Sequence, residues 1–264
     1  MAGRRLDVEI VGRGLLASRE QARARILAGS VRVDGHAATK AGAPVSEDAV
    51  IEITALPAYV SRGGHKLAGA LDRFGVDPAG LSAIDIGAST GGFTDCLLQR
   101  GAASVTAVDV GYGQLAWSLR SDPRVRVFER TNIRATDLAL LGGPFDLAVV
   151  DVSFISLAKV LPAIGLLVAE TGAVLALVKP QFEAGKGRVG KKGVVRDAAV
   201  HEDVLVATVA CARTEGWVVR GLGWSPITGP EGNIEFWEWL ARAGEPATEE
   251  PASVVRAAHE ALGG

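Results

Sequence analysis

Residues 81–95 of this chain read LSAIDIGASTGGFTD, and they carry the clearest indication of its fold. An apolar segment with Ala83, Ile84 and Ile86 runs into a turn of small residues, and Phe93 then begins a helical pattern. Glycines at such a turn let a ligand approach the backbone, and the following helix directs free N–H groups and its positive dipole end to the same place. The stretch therefore predicts a strand, a tight turn and a helix, with a ligand at the turn.

The spacing of acidic and glycine residues narrows the class of ligand. The pattern Asp85-x-Gly87-x-x-x-Gly91-Gly92 is not the dinucleotide fingerprint Gly-x-Gly-x-x-Gly, because the second glycine would fall on Ser89. It resembles the first motif of S-adenosylmethionine-dependent methyltransferases, in which an acidic residue precedes the glycine loop. Taken alone, the motif is also compatible with a tight turn in any α/β protein.

Composition describes a globular chain with two local basic clusters. The 264 residues are 48% apolar and 22% charged, enough for one large domain and a small companion. The net charge is −2, yet residues 1–40 hold eight Lys and Arg against four acids, and residues 179–196 hold six against one. Basic clusters on a slightly acidic chain indicate contact with a polyanion.

Cysteine use and hydropathy bear on the compartment. Cys96 and Cys211 lie in apolar helical contexts without metal-ligand spacing, which favours buried thiols in a reducing compartment. The N-terminus has no apolar signal core, and the most hydrophobic region, residues 160–178, is interrupted by a proline, a glutamate and a glycine. We therefore expect a cytoplasmic protein that uses no metal and binds no membrane.

The first fifty-odd residues predict a small α+β module. Ser18 is a candidate N-cap for a helix over residues 19–28, and residues 31–35 predict a strand that enters an Asp-Gly turn. The segment resembles the alpha-L RNA-binding motif, on the residues Arg5-Leu-Asp7, Ser18-Arg-Glu-Gln-Ala22 and Gly29-Ser-Val-Arg-Val-Asp-Gly35. This resemblance implies binding to structured RNA through its shape and its backbone.

Polar side chains occur at or near the ends of successive predicted strands in the rest of the chain. They are Asp85, Asp109, Asn132, Asp151 and Lys179. Open α/β sheets bind ligands outside the carboxyl ends of their strands, where Asp109 would accept ribose hydroxyls and Asn132 would bond an adenine or nearby backbone. The placement predicts a catalytic face, with the glycine-rich basic residues 183–197 as a mobile loop beside it.

Seven ordered motifs cover nearly the whole chain. They are VSRGGHK (60–66), DIGASTGGFT (85–94), DVGYGQLAW (109–117), ERTN (129–132), DVSFIS (151–156), VKPQFE (178–183) and GNIE (232–235). Together they resemble the TlyA/hemolysin A family of ribosomal RNA 2′-O-methyltransferases. The resemblance implies an α/β, Rossmann-like class I methyltransferase with a mostly parallel seven-stranded sheet, preceded by a small α+β RNA-binding domain. We expect an RNA-binding domain over residues 1–55, a linker over 56–61, the methyltransferase domain over 62–244 and a C-terminal extension over 245–264.

The resemblance also implies site residues. The family's Lys-Asp-Lys-Glu catalytic tetrad falls on Lys66, Asp151, Lys179 and Glu235. Contacts to the cofactor S-adenosylmethionine, which becomes S-adenosylhomocysteine, are expected from Asp85, Gly87, Ser89, Thr90, Gly91, Gly92, Phe93, Asp109, Asn132, Asp151 and Phe154. RNA contacts are expected from Arg4, Arg5, Arg19, Arg23, Lys40, Arg62, Arg130, Arg134, Lys186 and Arg188. The expected partner is ribosomal RNA within a ribosomal subunit, modified on a cytidine by a monomeric enzyme.

The chemistry explains the need for such a tetrad. A ribose hydroxyl is a poor nucleophile toward a sulfonium methyl group, so in-line transfer benefits from proton removal and positioning. We interpret Lys179 as the base and Lys66 as a cation beside it, with Asp151 and Glu235 orienting the two lysines. Glu235 shares a predicted strand face with two tryptophans, so it needs a partner if buried. The alternative is an ion-pair cluster that only ties strands together.

Two other functions remain open from the sequence. The second name of the family suggests a cytolysin. A non-catalytic RNA-binding factor in ribosome assembly would retain the basic clusters, but it would not need all four tetrad residues.

Overall fold

A computed structural model of the chain describes residues 3–54, 57–185 and 187–263. The chain divides into two compact units, Met1–Ala58 and Tyr59–Gly264. Within the described residues, no helix is long and apolar enough to cross a membrane.

The first unit is a small α+β module. Its elements are β1 Arg4–Arg5, α1 Leu6–Gly12, α2 Arg19–Leu27, β2 Val31–Val33, β3 His36–Ala37, β4 Pro44–Val45 and β5 Ile51–Ile53. The Ser18 hydroxyl accepts a hydrogen bond from the Gln21 amide at 3.2 Å, so the predicted N-cap is confirmed. Asp34 and Gly35, both at positive φ, form the tight turn between β2 and β3.

A single small core holds this module together. Its buried apolar residues come from both helices, from β2 and β4, and from the loop before β5: Leu6, Ile10, Ala22, Ile26, Val31, Val45 and Ala49. A core of this size stabilises only a small domain.

The second unit alternates strands and helices. Its elements are α3 Gly63–Phe74, β6 Ser82–Ile86, α4 Gly92–Gln99, β7 Ser104–Val108, α5 Trp117–Arg120, β8 Val125–Phe128, β9 Phe145–Val150, α6 Leu161–Leu167, β10 Val168–Val178, α7 Pro180–Glu183, α8 Ala198–Thr214, β11 Val218–Trp224, β12 Phe236–Ala241 and α9 Pro251–Leu262. Short 3-10 turns occur at Leu138–Leu141, Leu157–Lys159 and Lys191–Gly193.

In the described part of the chain, these strands form one seven-stranded sheet. Its order is β11-β12-β10-β9-β6-β7-β8, with parallel pairing from β10 to β8 and antiparallel pairing of β12 with both neighbours. The predicted mostly parallel sheet is confirmed. The strand order reverses between β6 and β9, and open α/β sheets bind ligands at such a reversal.

Helices cover both faces of the sheet. One apolar cluster joins α3, α4 and α5 to one face, and a second joins α6, α8 and α9 to the other. Leu147, Ala148, Val149 and Val150 of β9 are all fully buried, which explains why this strand reads as a continuous apolar run.

The last strand and the tail close one edge of the sheet. The predicted alternation in β12 is confirmed, because Phe236 packs in the cluster with α8 while Trp237 packs in the cluster with α3. The strand begins at Phe236, so Glu235 precedes it. Beyond β12, the Ala247 amide donates to the Val219 carbonyl of β11 at 2.7 Å, and α9 then packs on α8 and β11.

Candidate active site

Asp85 lies inside β6, beneath the glycine loop. Its side chain is fully buried, and its Oδ2 accepts hydrogen bonds from the Thr94 amide at 2.9 Å and the Thr94 hydroxyl at 2.6 Å. Burial raises the pKa of this carboxyl to about 7. Asp85 therefore fixes the first turn of α4. Among the described residues, Asp85 lines neither of the two cavities that border the glycine loop.

The glycines of the loop are required by neighbouring protein atoms. Gly87 has a φ of +90°, and a Cβ there would lie 2.4 Å from the Asp151 carbonyl oxygen. A Cβ on Gly92 would lie 2.8 Å from the Gly64 amide nitrogen at the start of α3. The loop is thus packed between the ends of β9 and α3, and any ligand meets a backbone already fixed in place.

A cavity of about 520 Å³ opens where the sheet order reverses. This volume is in the usual range for small-molecule sites. Six predicted cofactor residues line it: Gly87, Ser89, Asp109, Asn132, Asp151 and Phe154. Apolar walls come from Ile86, Val108, Val110, Ile133, Val152, Ile155 and Val160. We call this space the first cavity.

Asp109 connects the loops around the first cavity. Its Oδ2 accepts from the Ser89 amide at 2.8 Å, and its Oδ1 accepts from the Gly111 amide at 2.6 Å. A carboxylate retains acceptor capacity beyond two such bonds. Asn132 lies on the same wall, and its Oδ1 accepts from the Arg134 amide at 3.1 Å. A carboxylate, an amide and apolar walls suit a nucleoside, with hydroxyls at one end and a flat base at the other.

A second cavity of about 360 Å³ adjoins the first. The two share Gly87, Ser89 and Asp151, so Asp151 lies at their junction. The second cavity is also lined by Ser61, Arg62, Gly63, Lys66, Ala88, Thr90, Gly92, Phe93, Thr228 and Pro230. Gly91 packs elsewhere, because a Cβ there would lie 2.3 Å from Leu119 of α5.

The four tetrad residues form two lysine–carboxylate pairs. Lys66 in the first turn of α3 contacts Glu235, and their side chains are only 8% and 1% exposed. Lys179, just beyond β10, contacts Asp151, just beyond β9, and donates a hydrogen bond to the Ser153 hydroxyl at 2.9 Å. The partner required for a buried Glu235 is therefore Lys66.

Several residues lie at the two cavities although the sequence predicted another role, or none, for them. Ser153, which binds Lys179, belongs to the DVSFIS motif, so its signal was present in the sequence. Gln114, which belongs to the DVGYGQLAW motif, and Lys159 also line the first cavity, and neither was predicted as a site residue. Arg134, expected to contact RNA, also lines the first cavity, and Arg62 lines the second while donating to the Thr228 carbonyl at 2.9 Å.

Phe154 is the most exposed aromatic side chain described. It is 91% exposed, has a φ of +63°, and its ring centroid lies 4.9 Å from that of Phe182. It therefore places an exposed aromatic ring at the first cavity.

Three of the arginines predicted to bind RNA surround one buried carboxylate of the first unit. Arg5, Arg19 and Arg23 donate to Asp7 at 3.0, 3.0 and 3.1 Å. The hydrogen bond from Arg5, together with those from the other two, holds the pKa of Asp7 well below its usual range. The three arginine side chains remain about half exposed, so this surface carries more positive than negative charge.

The other predicted RNA contacts are distributed over both units. Arg4 lies 3.6 Å from Glu9, and Lys40 is exposed. Arg130 stacks 4.3 Å above the Tyr112 ring, and Arg188 pairs with Asp203 at 2.5 Å. Lys186 lies outside the described residues.

The sheet order, the glycine loop and the cavity at the reversal point define an α/β methyltransferase fold. A family profile described as FtsJ-like methyltransferase matches residues 59–242, and an S4 domain profile matches residues 4–51. The chain belongs to the TlyA/hemolysin A group of FtsJ-like methyltransferases, with an S4 domain at its N-terminus.

Named relatives extend over most of the chain. The Mycobacterium tuberculosis "16S/23S rRNA (cytidine-2'-O)-methyltransferase TlyA" is 51% identical over 238 residues, 89% of each protein. "Hemolysin A" of Brachyspira hyodysenteriae is 39% identical over 88% of this chain and 97% of its own. A solved structure from Streptococcus thermophilus, also named a hemolysin, is 42% identical with a TM-score of 0.76, covering 100% of this chain and 98% of that one.

Proposed function

We propose that the protein transfers the methyl group of S-adenosylmethionine to the 2′-hydroxyl of a cytidine in ribosomal RNA. The observation that carries this proposal is the junction of the two cavities at Asp151. There, Lys179 contacts Asp151 and Lys66 lines the adjoining space. The name of the M. tuberculosis relative supports the choice of RNA, of cytidine and of the 2′-oxygen.

The first cavity suits the nucleoside part of the cofactor. Asp109 would accept its ribose hydroxyls, Asn132 would bond its base, and Ile133 and Val152 would pack on its apolar faces. Thr90, Gly92 and Phe93 of the second cavity would hold its amino-acid part. When bound, S-adenosylmethionine supplies an electrophilic methyl group.

The tetrad acts on the acceptor ribose beside Asp151. The deprotonated amine of Lys179 accepts the proton of the 2′-hydroxyl as that oxygen takes the methyl group, while Asp151 and Ser153 hold the amine in position. Glu235 holds Lys66 at the wall of the second cavity, where its cationic amine orients the ribose oxygens. The fixed glycine loop contributes positioning and no proton transfer.

The S4 domain supplies affinity for RNA. Its half-exposed arginines would contact phosphates, whose binding depends strongly on salt and only weakly on base sequence. The proposed setting is a monomer that acts in the cytoplasm on ribosomal RNA within a ribosomal subunit.

The direct test is transfer of labelled methyl groups to ribosomal subunits from cells lacking this gene. We expect 2′-O-methylcytidine, located by mass spectrometry of the RNA, with the native chain and none with Lys179→Ala. Cofactor affinity, measured by calorimetry, should be nearly the same for both proteins. Full turnover by Lys179→Ala would remove Lys179 from the mechanism.

The same preparations separate the other two functions. A non-catalytic assembly factor would bind subunits without transferring label. A cytolysin would lyse erythrocytes, and the Lys179→Ala variant would lyse them equally well.

A further inference from the structure

A third cavity lies in the loop between α7 and α8. Its volume is about 490 Å³, and it is lined by Arg188, Gly190, Lys192, Val194, Arg196 and Asp197. We call it the basic cavity. It shares no lining residue with the first or second cavity, so the proposed methyl transfer does not account for it.

The loop that forms the basic cavity is fixed to the catalytic unit. The Asn233 amide nitrogen donates to the Gly193 carbonyl at 3.0 Å, and its oxygen accepts from the Val195 amide at 2.9 Å. The Asn233 side chain is itself buried, and so are Val194 and Val195. The part of the predicted mobile loop that reaches Asn233 is therefore anchored by two hydrogen bonds and two buried valines.

This anchor ties the loop that forms the basic cavity to the segment that carries Glu235. Asn233 precedes Glu235 by two residues, so their Cα atoms are no more than about 7 Å apart. The basic cavity is therefore formed by a loop that is hydrogen-bonded two residues before Glu235.

The lining of the basic cavity carries a net positive charge, with three cations against the carboxylate of Asp197. Lys192 and Arg196 are exposed, and Arg188 adds a third cation. The acids nearby have other roles: Asp197 caps α8 by accepting from the Ala199 amide at 2.9 Å, and Asp203 pairs with Arg188. Lys192 has a φ of +63°, a conformation that a residue with a side chain rarely adopts and that is concentrated at functional sites.

We infer that the basic cavity is a phosphate-binding site that holds the RNA backbone next to the nucleotide being methylated. Guanidinium and ammonium groups around an open pocket match the charge and oxygen geometry of phosphate. The choice of RNA rests on the proposed function. The site adds Lys192 and Arg196 to the RNA-binding residues. It gives the catalytic unit an RNA contact separate from that of the S4 domain.

The test compares two variants of the full-length chain that remove the same charge. Lys192→Gln/Arg196→Gln alters the cavity, and Arg213→Gln/Arg256→Gln removes two exposed arginines from the last turn of α8 and the middle of α9. Affinity for a fluorescein-labelled RNA hairpin is measured between about 50 and 200 mM salt. Loss of two phosphate contacts should reduce the slope of log K against log salt by about 1.4, and the control should keep the native slope.

Each outcome is decisive. A native slope in the cavity variant, or an equal reduction in the control, overturns the site. Free anions are tested with inorganic pyrophosphate by calorimetry: pyrophosphate binding that the cavity variant abolishes, with a native RNA slope, would mean a site for small anions instead. Hairpin binding needs no methyl transfer, so failure of the proposed reaction would not change the measured salt slopes. In the same way, a native salt slope in the cavity variant would not contradict the proposed reaction.

Discussion

Glu235 and Lys66 lie 169 positions apart in the chain and meet as a buried ion pair at the wall of the second cavity. The pair joins the residue that precedes β12 to the first turn of α3. Breaking a buried pair by removing one partner strands a charge, whereas replacing both partners by apolar residues does not.

We therefore expect Glu235→Ala to lower the free energy of unfolding by about 3–5 kcal/mol. The double variant Lys66→Met/Glu235→Leu should recover most of that loss and yet transfer no methyl groups. Urea unfolding and the labelled-methyl assay measure the two effects separately. Normal turnover by the double variant would show that the pair only ties elements together.

The glycine loop should not tolerate a side chain at Gly92. Because a Cβ there would press on the Gly64 amide, we expect Gly92→Ala to displace the loop and weaken cofactor binding at least tenfold. Gly12→Ala is the matched control, since a Cβ at Gly12 meets no atom within 4 Å. Calorimetric titration with S-adenosylhomocysteine would measure the cofactor affinity of the two variants. Equal affinities of Gly92→Ala and Gly12→Ala would contradict the role of Gly92.

Glu238 is a buried acid on the face of β12 opposite Glu235. It is fully buried and accepts from the Thr208 hydroxyl at 2.5 Å, and burial raises its pKa to about 7. The folded state therefore binds a proton on the Glu238 carboxyl more tightly than the unfolded state does. The stability that the protonated carboxyl contributes is present below pH 4.5 and is lost as pH rises through 7. We expect Glu238→Gln to stabilise the protein at pH 8 by up to about 3 kcal/mol and to have little effect near pH 4. Thermal melts at both pH values measure this effect, with the exposed Glu260→Gln as the control variant. An equal gain in stability at pH 4 and pH 8 would contradict the assignment.

His201 and His259 join α8 to α9. His201 Nδ1 lies 2.9 Å from His259 Nε2, and burial of His201 lowers its pKa to about 4. As pH decreases, the His201 imidazole of the unfolded state binds a proton before that of the folded state does. The stability contributed by neutral His201 is therefore complete above pH 6.5 and falls as pH decreases toward 4. We expect the stability of His201→Leu to depend less on pH in this window. The difference in unfolding free energy between native and variant chains, measured across the window, should change by up to about 3 kcal/mol; a constant difference would refute the assignment.

Deleting residues 1–58 should separate RNA affinity from the catalytic unit. The deletion removes the arginines around Asp7 and the exposed Lys40. We expect much weaker binding to ribosomal RNA and a smaller salt slope, because fewer phosphates are contacted. Cofactor binding by the remaining chain serves as the control, and an unchanged salt slope would exclude the S4 domain as the main RNA contact.

Local patterns in the sequence were sufficient for the strand ends. Asp109, Asp151 and Lys179 each follow directly after a strand of the sheet, as predicted, because apolar runs and their polar ends are local signals. Asp85, expected to contact the cofactor, lies inside β6 and bonds Thr94 of α4, a placement that motif spacing alone does not give.

The exact pairing of distant side chains could not be read from local patterns in the sequence. The pairing of Lys66 with Glu235 depends on the place of β12 between β10 and β11, and that place is set by sheet pairing. The anchoring of residues 193–195 by Asn233 likewise joins segments about forty residues apart. Such contacts are fixed by the packing of the whole sheet, so they had no local signal.

The tail beyond β12 has a consequence for solubility. β11 is the outermost strand on its side of the sheet, and the Ala247 amide takes one of its outward carbonyls while α9 lies against it. An uncovered edge strand is a template for pairing with another chain and hence for aggregation. The residues after Gly244 therefore cover part of this edge, which leaves less of β11 free to pair with a second copy of the sheet.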